Sequence, residues 1–293
     1  MKINKKALKN INVFSVIVFV VLTLYIVSLV VPLVWGFLTS FKSRGDYVMN
    51  MYGFPEEFKW ENYVTAFEHF KVETDKNGMV YIEEMLLYTL LYAGGCAFFQ
   101  VFFNCIAGYC CAKFSRFAIT GVYTGIVIVT MAIPIVGSQA SELAILINLK
   151  LYDNMLGMWI MKMNFSGIYY LIFLETFHAI PKDYSEAAYI DGAGNFTLFF
   201  KLMLPFVSKT FLTVFLIYFI GYWNDYQLPM LYLPSYPTLA YGLYEYSFSA
   251  NPKISSVPMK MAGCMILFVP IFIVFVCMQK YLLGNVQMGG LKG

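Results

Sequence analysis

The hydrophobic positions of this chain form long uncharged stretches rather than the short periodic stripes of a soluble protein. Four such stretches contain no Asp, Glu, Lys or Arg, and two more contain isolated charges. They cover residues 10–41, 85–112, 117–141, 155–180, 207–231 and 261–279. A helix needs about 20 apolar residues to cross the hydrocarbon core of a bilayer, and a helix satisfies its own backbone hydrogen bonds in lipid. The pattern therefore predicts an all-α membrane protein with six transmembrane helices.

Composition supports a lipid environment. Of the 293 residues, 60% are hydrophobic and only 13% are charged, whereas a soluble domain carries about 25% charged residues. So little charge cannot cover the surface of a soluble globule, which disfavours soluble enzymes, nucleic-acid-binding proteins, disordered chains and secreted disulfide scaffolds. The six cysteines lie in apolar runs without the spacing of a zinc site. We interpret them as small buried apolar residues.

Lysine and arginine residues in the connections indicate the orientation of the spans. If the N-terminus is cytoplasmic, the inner connections contain more basic than acidic residues, and the outer connections contain more acidic than basic residues. This bias predicts that both termini are cytoplasmic. The first apolar run is too long for a signal peptide, so we interpret it as an uncleaved span.

These predictions divide the chain into consecutive regions. They are a cytoplasmic N-terminus, the first span, an extracytoplasmic loop, a core with the other five spans and a cytoplasmic tail, at residues 1–9, 10–41, 42–84, 85–283 and 284–293. The outer loop contains turn signals, and we expect some local structure in it. The core includes a cytoplasmic connection at residues 182–206 between the fourth and fifth spans.

This cytoplasmic connection has the most informative sequence in the chain. Pro181 ends the fourth span, and residues 185–191 can form a short helix. Gly192 begins a Gly-Ala-Gly-Asn turn that tolerates positive φ angles. Residues 197–204 can form a second short helix, which Pro205 separates from the fifth span.

The first short helix has a surface suited to close contact with another protein. Ala187 and Ala188 give a low ridge that a groove in a partner can approach, and Glu186 and Asp191 place carboxylates beside it. The alternative interpretation is an ordinary amphipathic connection that lies on the lipid headgroups. The number of positions that agree with one known signature favours the partner contact.

The order of these residues resembles the EAA signature of permease subunits in binding-protein-dependent ABC importers. That signature has Glu-Ala-Ala, a glycine after three more residues, and an apolar-x-Leu-Pro sequence after a further nine. It corresponds here to Glu186, Ala187, Ala188, Gly192 and residues 202–205. The one departure is Leu202, where the family often has isoleucine.

The resemblance extends over most of the chain. Residues 151–157 resemble the family's segment before the fourth helix, residues 223–225 its fifth-helix motif, and residues 279–293 its C-terminal tail. Together these features are similar to the carbohydrate-uptake branch, and specifically to the maltose-type second permease. No motif identifies the sugar.

The resemblance implies that the chain is half of a transport path in a prokaryotic cytoplasmic membrane. It would form a heterodimer with a second permease subunit, receive a sugar or oligosaccharide from an extracytoplasmic binding protein, and be driven by an ABC ATPase dimer. The residues implied to couple to the ATPase are Glu186, Ala187, Ala188, Asp191, Gly192 and Pro205, and the tail residues Gly289, Gly290 and Lys292 are implied as further contacts. The chain would bind no cofactor itself, because it lacks a Gly-x4-Gly-Lys-Ser/Thr phosphate loop; ATP and Mg would belong to the ATPase.

Candidate translocation residues lie near the outer end of the fifth span. An ionisable residue inside a span is a functional candidate by default, which identifies Asp225 and its neighbours Tyr222 and Asn224. The alternative interpretation places Asn224 and Asp225 near the outer interface, where they hold a helix end or a partner helix by hydrogen bonds, and we favour it. The tyrosines of this region can stack on sugar rings or form an interfacial aromatic belt, and we favour the belt.

Three other functions compete with a sugar permease. An ABC importer permease for another substrate would have the same coupling signature. An ion-coupled secondary transporter needs intramembrane charges and often repeated halves, but the predicted spans contain few charges and no evident repeat. A membrane enzyme needs a cluster of catalytic or metal-binding groups, but the chain has only 2 histidines, far apart and without metal-site spacing. We therefore expect no enzymatic activity and no nucleic-acid partner.

Overall fold

The computed structural model describes residues 12–133 and 137–284. This part of the chain is mostly helical, as predicted, and contains one two-stranded sheet. The chain divides into two compact units, Met1–His69 with Tyr246–Ile266 and Phe70–Glu245 with Leu267–Gly293. The N-terminal residues 1–9 and the tail residues Gly289, Gly290 and Lys292 lie outside the described residues.

The first unit begins with the helices α1 (Val13–Ser40), α2 (Arg44–Met49) and α3 (Glu61–His69). No described residue from 12 to 34 is buried within the structure. A helix that is apolar all round is typical of a membrane span. At the end of α1, the Asn62 side chain donates hydrogen bonds to the carbonyls of Ser40 and Lys42, at 2.8 and 2.9 Å. These bonds satisfy orphan carbonyls and fix the exit from the span.

The second unit begins with an antiparallel hairpin, β1 (Lys71–Thr74) and β2 (Gly78–Tyr81). This hairpin lies in the predicted outer loop, where we expect some local structure, and leaves the chain mostly helical. Thr74 pairs with Gly78, so that a three-residue loop joins the strands, and Gly78 has φ +69°. Glycine at a left-handed position after a short loop is typical of such hairpins. Val72 and Val80 face each other in the register and are both buried.

The remaining helices follow the hairpin in chain order, and the residues of the last two are divided between the two units. They are α4 (Ile82–Lys113), α5 (Ala118–Ala132), α6 (Gln139–Asn148), α7 (Met155–Met161), α8 (Ile168–His178), α9 (Asp183–Ile190), α10 (Asn195–Thr197), a π-helical stretch (Leu198–Met203), α11 (Leu204–Phe206), α12 (Ser208–Trp223), α13 (Gln227–Tyr232), α14 (Leu239–Phe248) and α15 (Val257–Gly284). Helix α4 packs along both α8 and α12. The core beside the connection at residues 182–206 is formed by Val101, Cys105, Phe173, Phe177, Leu198, Phe199, Met203, Val207 and Val214.

Among the described residues, three helices are long and apolar enough to cross a membrane: Val13–Ser40, Ile82–Lys113 and Val257–Cys277. A fourth span is possible by length if the pair Asn195–Phe206 and Ser208–Trp223, bent by 74°, counts as one. Ala118–Ala132 is apolar but shorter. The count of six spans and the location of the termini stay predictions.

The prediction of one continuous helix over residues 155–180 is wrong. Helix α7 ends at Met161 and α8 begins at Ile168. Between them the Asn164 side chain accepts hydrogen bonds from the backbone and the hydroxyl of Ser166, both at 2.8 Å, and Gly167 has φ +110°. Asparagine side chains compete with helical backbone bonds in this way, and only glycine adopts such a φ readily.

The continuous helix predicted for residues 207–231 is also wrong. Helix α12 ends at Trp223, and the Asn224 side chain donates to the Ile220 carbonyl at 2.8 Å, which satisfies an acceptor of the last turn. Asp225 then accepts from the Leu228 amide at 3.2 Å, at the start of α13.

Candidate functional site

The connection at residues 182–206, which the sequence predicts to be cytoplasmic, folds as a helical elbow that we call the coupling segment after its predicted role. Pro181 separates it from α8, since the residue before a proline is restricted away from helical geometry. Helix α9 follows with Asp183 and Glu186 in its first turn, where negative charge is favoured by the helix dipole. The short helix predicted at residues 185–191 is present, although it begins two residues earlier and ends at Ile190.

Helix α9 ends in a Schellman turn built on Gly192. The Ala193 amide donates to the Ala188 carbonyl at 2.9 Å, and the Gly192 amide donates to the Tyr189 carbonyl at 3.0 Å. Gly192 has φ +82°. These two bonds and the left-handed glycine are the defining features of the motif, and the positive φ predicted at Gly192 is confirmed.

Asn195 links the turn at Gly192 to the end of α4 by a hydrogen bond. Its Oδ1 accepts a hydrogen bond from Lys113 Nζ at 2.7 Å and another from the Tyr189 hydroxyl at 3.0 Å. Lys113 Nζ also lies 5.4 Å from the centre of the Tyr189 ring. These exposed hydrogen bonds join the turn after α9 to the end of the long apolar helix α4.

The second limb of the elbow is buried on one face and sharply bent. Its π-helical stretch inserts Leu198, Phe199 and Met203 into the core between α4, α8 and α12. Pro205 lies in α11 and is exposed, and the 74° bend occurs at Val207, two residues after it. The predicted break before the fifth span is thus present, but shifted from Pro205. π-Helical turns are rare and occur frequently at functional sites.

The outer face of the elbow exposes apolar side chains. No residue of α9 is buried. The exposed fractions of Ile190 and Phe196 are 86% and 83%, and Tyr184 is half exposed. Large exposed apolar side chains beside charged residues are typical of a surface that contacts another protein or a membrane.

The predicted coupling residues do not all face the same way. Ala187 is exposed, whereas Ala188 is partly buried against the core, so the predicted alanine ridge is divided between two faces. Glu186 is exposed and lines a pocket behind α9. Asp191 is exposed at the C-terminus of α9. The small Ala188 lets α9 lie close to the core while its other face stays open.

The candidate translocation residues Tyr222 and Asp225 meet α4, whereas Asn224 does not. The Tyr92 hydroxyl donates to Asp225 Oδ2 at 2.8 Å, and the Tyr222 hydroxyl donates to Gln100 Oε1. Asn224 is exposed, and its side chain bonds its own helix. Both carboxylate oxygens of Asp225 are therefore occupied, one by α4 and one by the start of α13, and this geometry supports the interpretation of Asp225 as a residue that holds a helix end.

Comparison with known protein families identifies the chain. The family of binding-protein-dependent transport system inner membrane components matches residues 104–286. The chain belongs to this family. The matched region includes the coupling segment and the described part of the C-terminal helix, and the chain is accordingly a multi-pass permease of the cytoplasmic membrane. Membership favours a transporter subunit over the membrane enzyme and the ion-coupled transporter considered above.

Individual relatives and a solved structure agree with this family. The permease is 25% identical to the diacetylchitobiose uptake system permease protein NgcG of Streptomyces coelicolor, over 98% of this chain and 92% of that protein. It is 24% identical to the melibiose/raffinose/stachyose import permease protein MelC of Bacillus subtilis, over 87% and 88% of the two chains. Its fold matches a chain from a bacterial ABC transporter involved in alginate import, with a TM-score of 0.75, 19% identity, and coverage of 96% of this chain and 99% of that one.

Replacing Asp225 by asparagine or alanine separates a structural role from a transport role. In Asp225→Ala the buried Tyr92 hydroxyl loses its acceptor, which costs about 1–3 kcal/mol, and we expect the melting temperature of the purified permease to fall by roughly 3–10 °C. Asp225→Asn keeps one acceptor oxygen, so we expect a smaller fall and nearly unchanged uptake. Gln227→Ala, which changes an exposed residue two positions away, is the control. Loss of uptake in Asp225→Asn at an unchanged melting temperature would instead assign the charge to the translocation path.

Proposed function

We propose that this chain is the permease subunit of an ATP-driven importer and that it forms half of a path for a sugar or oligosaccharide. The coupling segment docks on a separate ATPase, which supplies the bound ATP and Mg. The observation that carries the proposal is the elbow itself: a short helix with an open apolar tip, closed by a left-handed glycine and fastened to α4 through Asn195 and Lys113.

The geometry supports mechanical coupling by way of two connections. The tip of the elbow, with Ile190 and Phe196, is free to enter a groove on a partner. The turn between these two residues is joined to α4 by the Lys113–Asn195 bond, and the second limb of the elbow packs into the core through Leu198 and Phe199. Closure of an ATPase dimer would move the tip, and the packed second limb would tilt α4, α8 and α12 with it. Interiors packed in this way transmit displacement rather than absorb it.

The remaining features of the proposal concern the substrate and the partners. The sugar and oligosaccharide permeases among the relatives support a carbohydrate substrate, and the family's dependence on binding proteins supports delivery by an extracytoplasmic binding protein. A second permease subunit completes the path. We also propose six spans with both termini in the cytoplasm, and a C-terminal tail that reaches the ATPase.

Placing a charge on the elbow tip tests the docking step. We expect Ile190→Asp to reduce the amount of ATPase that co-purifies with the permease by about tenfold or more, because a carboxylate buried in an apolar groove without a partner is costly. Radiolabelled oligosaccharide uptake should fall in parallel. Val48→Asp is the matched control, since Val48 is also exposed, at 70%, but lies in the proposed extracytoplasmic loop. Equal ATPase recovery from both variants would contradict the proposal.

A further inference from the structure

A pocket of about 560 Å³ lies behind helix α9, within the second unit. Four segments line it: the end of α4 and its following turn, the end of α8 and the residues after it, one face of α9, and Met203 of the π-helical stretch. Its polar lining consists chiefly of Lys113, Arg116, His178, Lys182, Ser185 and Glu186. The pocket thus contains three permanent cations and a single carboxylate.

The three cations of the pocket lack acidic partners among the residues that the structure describes. Ion pairs within 4.0 Å occur there at Lys59–Glu57, Lys76–Asp153 and His178–Glu175, and none of them involves these cations. Lys113 bonds the neutral Asn195 oxygen instead. Arg116 and Lys182 are exposed. With three cations against the one carboxylate of Glu186, the cleft has an excess of positive charge, which attracts anions.

Apolar side chains also line the pocket. Phe114, Phe177 and Met203 lie among the cations, and Lys113 Nζ is 5.7 Å from the centre of the Phe114 ring. Lys113 is also the last residue of α4, a helix apolar enough to span the membrane. The pocket therefore combines cationic and apolar groups at the end of a candidate membrane span. This combination suits an amphipathic anion, whose phosphate can meet the cations while its hydrocarbon contacts the apolar side chains.

We propose that this pocket binds the phosphate of an anionic phospholipid headgroup and that the lipid braces α9 against the end of α4. The inference rests on the proposed function for the cytoplasmic location of the pocket. Basic pockets between spans on that side are suited to anionic headgroups. A bound phosphate would bridge Arg116 and Lys182, which belong to separate segments, and would thereby stiffen the base of the coupling segment.

Titration with defined lipids tests this site on the permease purified with its partner subunits. The pocket variant Arg116→Gln/Lys182→Gln removes two cations whose side chains are exposed. The control variant Lys201→Gln/Lys209→Gln removes the same charge from exposed positions outside the pocket lining. Native mass spectrometry counts the phosphatidylglycerol bound per complex, with phosphatidylcholine as the neutral lipid and glycerol 3-phosphate as the soluble phosphate.

We expect tight binding of phosphatidylglycerol to the wild type and the control, and about 25-fold weaker binding to the pocket variant, since each cation near an anionic headgroup contributes roughly a factor of five. Equal affinity in the pocket variant and the wild type, or equal losses in the pocket and control variants, would overturn the site. Binding of glycerol 3-phosphate as tightly as phosphatidylglycerol would overturn the lipid assignment. ATPase recovery is measured on the same samples, so that absence of the ATPase is a failure of the proposed function and is read separately from lipid binding.

Discussion

Gly192→Val is expected to reduce substrate uptake by about tenfold or more and to weaken the association with the ATPase. Gly192 has φ +82°, and a left-handed backbone costs a residue with a side chain about 1–2 kcal/mol, with β-branched residues at the upper end. No other atom lies within 4 Å of the position that its Cβ would take. The effect would therefore arise from the backbone and not from a clash. Valine would open the Schellman turn and misplace Phe196, which follows it.

Two further variants show whether the φ angle is responsible. Gly192→Asn should retain most of the uptake, because asparagine tolerates the left-handed region. Gly194→Ala should be nearly neutral, since Gly194 has φ −72° and open space around it. Uptake by Gly192→Val at the level of Gly194→Ala would show that the turn is unimportant for coupling.

Gly108→Leu is expected to destabilise the permease most strongly of the variants considered. A Cβ at Gly108 would lie 2.7 Å from the Phe173 Cβ and 2.9 Å from the Leu174 amide nitrogen. Because backbone atoms cannot move aside as a flexible side chain can, α4 and α8 would have to separate. Overpacking typically costs about 1–3 kcal/mol and occasionally more. Because a whole leucine side chain would meet backbone atoms, we expect the upper end of this range or beyond, a fall of roughly 10 °C or more in melting temperature.

Gly94→Leu is the matched control for this variant. Gly94 lies in the same helix, but no atom lies within 4 Å of the position of its Cβ. The change in helix propensity is the same at both sites, so the difference between the two melting temperatures measures packing alone. Similar melting temperatures for the two variants would mean that α4 and α8 are not in close contact in the folded permease.

The sequence pattern predicts the features that depend on neighbouring residues. The long apolar stretches predict α1, α4 and α15, because a run of uncharged residues needs no distant partner to form a helix. The turn at Gly192 is also local, since the glycine, the preceding helix and the following residues suffice to define it. The order of residues from Glu186 to Pro205 was sufficient to indicate the family that the comparisons confirm.

Features that depend on distant residues could not be predicted in the same way. Lys113 and Asn195 are 82 positions apart and Tyr92 and Asp225 are 133 positions apart, and nothing in a single sequence pairs them. The break between α7 and α8 had a local signal in Asn164, Ser166 and Gly167. The surrounding apolar residues concealed it, because hydropathy averages over a window longer than the break.

The most direct test of the central claim is photo-cross-linking from the elbow tip in intact cells. A photoreactive phenylalanine analogue at Ile190 samples the surroundings of α9, and the same analogue at Tyr52, which is 83% exposed, samples the proposed extracytoplasmic loop. The proposed function predicts that Ile190 cross-links to an ATPase subunit and that Tyr52 does not. Cross-links from Ile190 to extracytoplasmic proteins, or to none while the transporter is active, would contradict the coupling role of this segment.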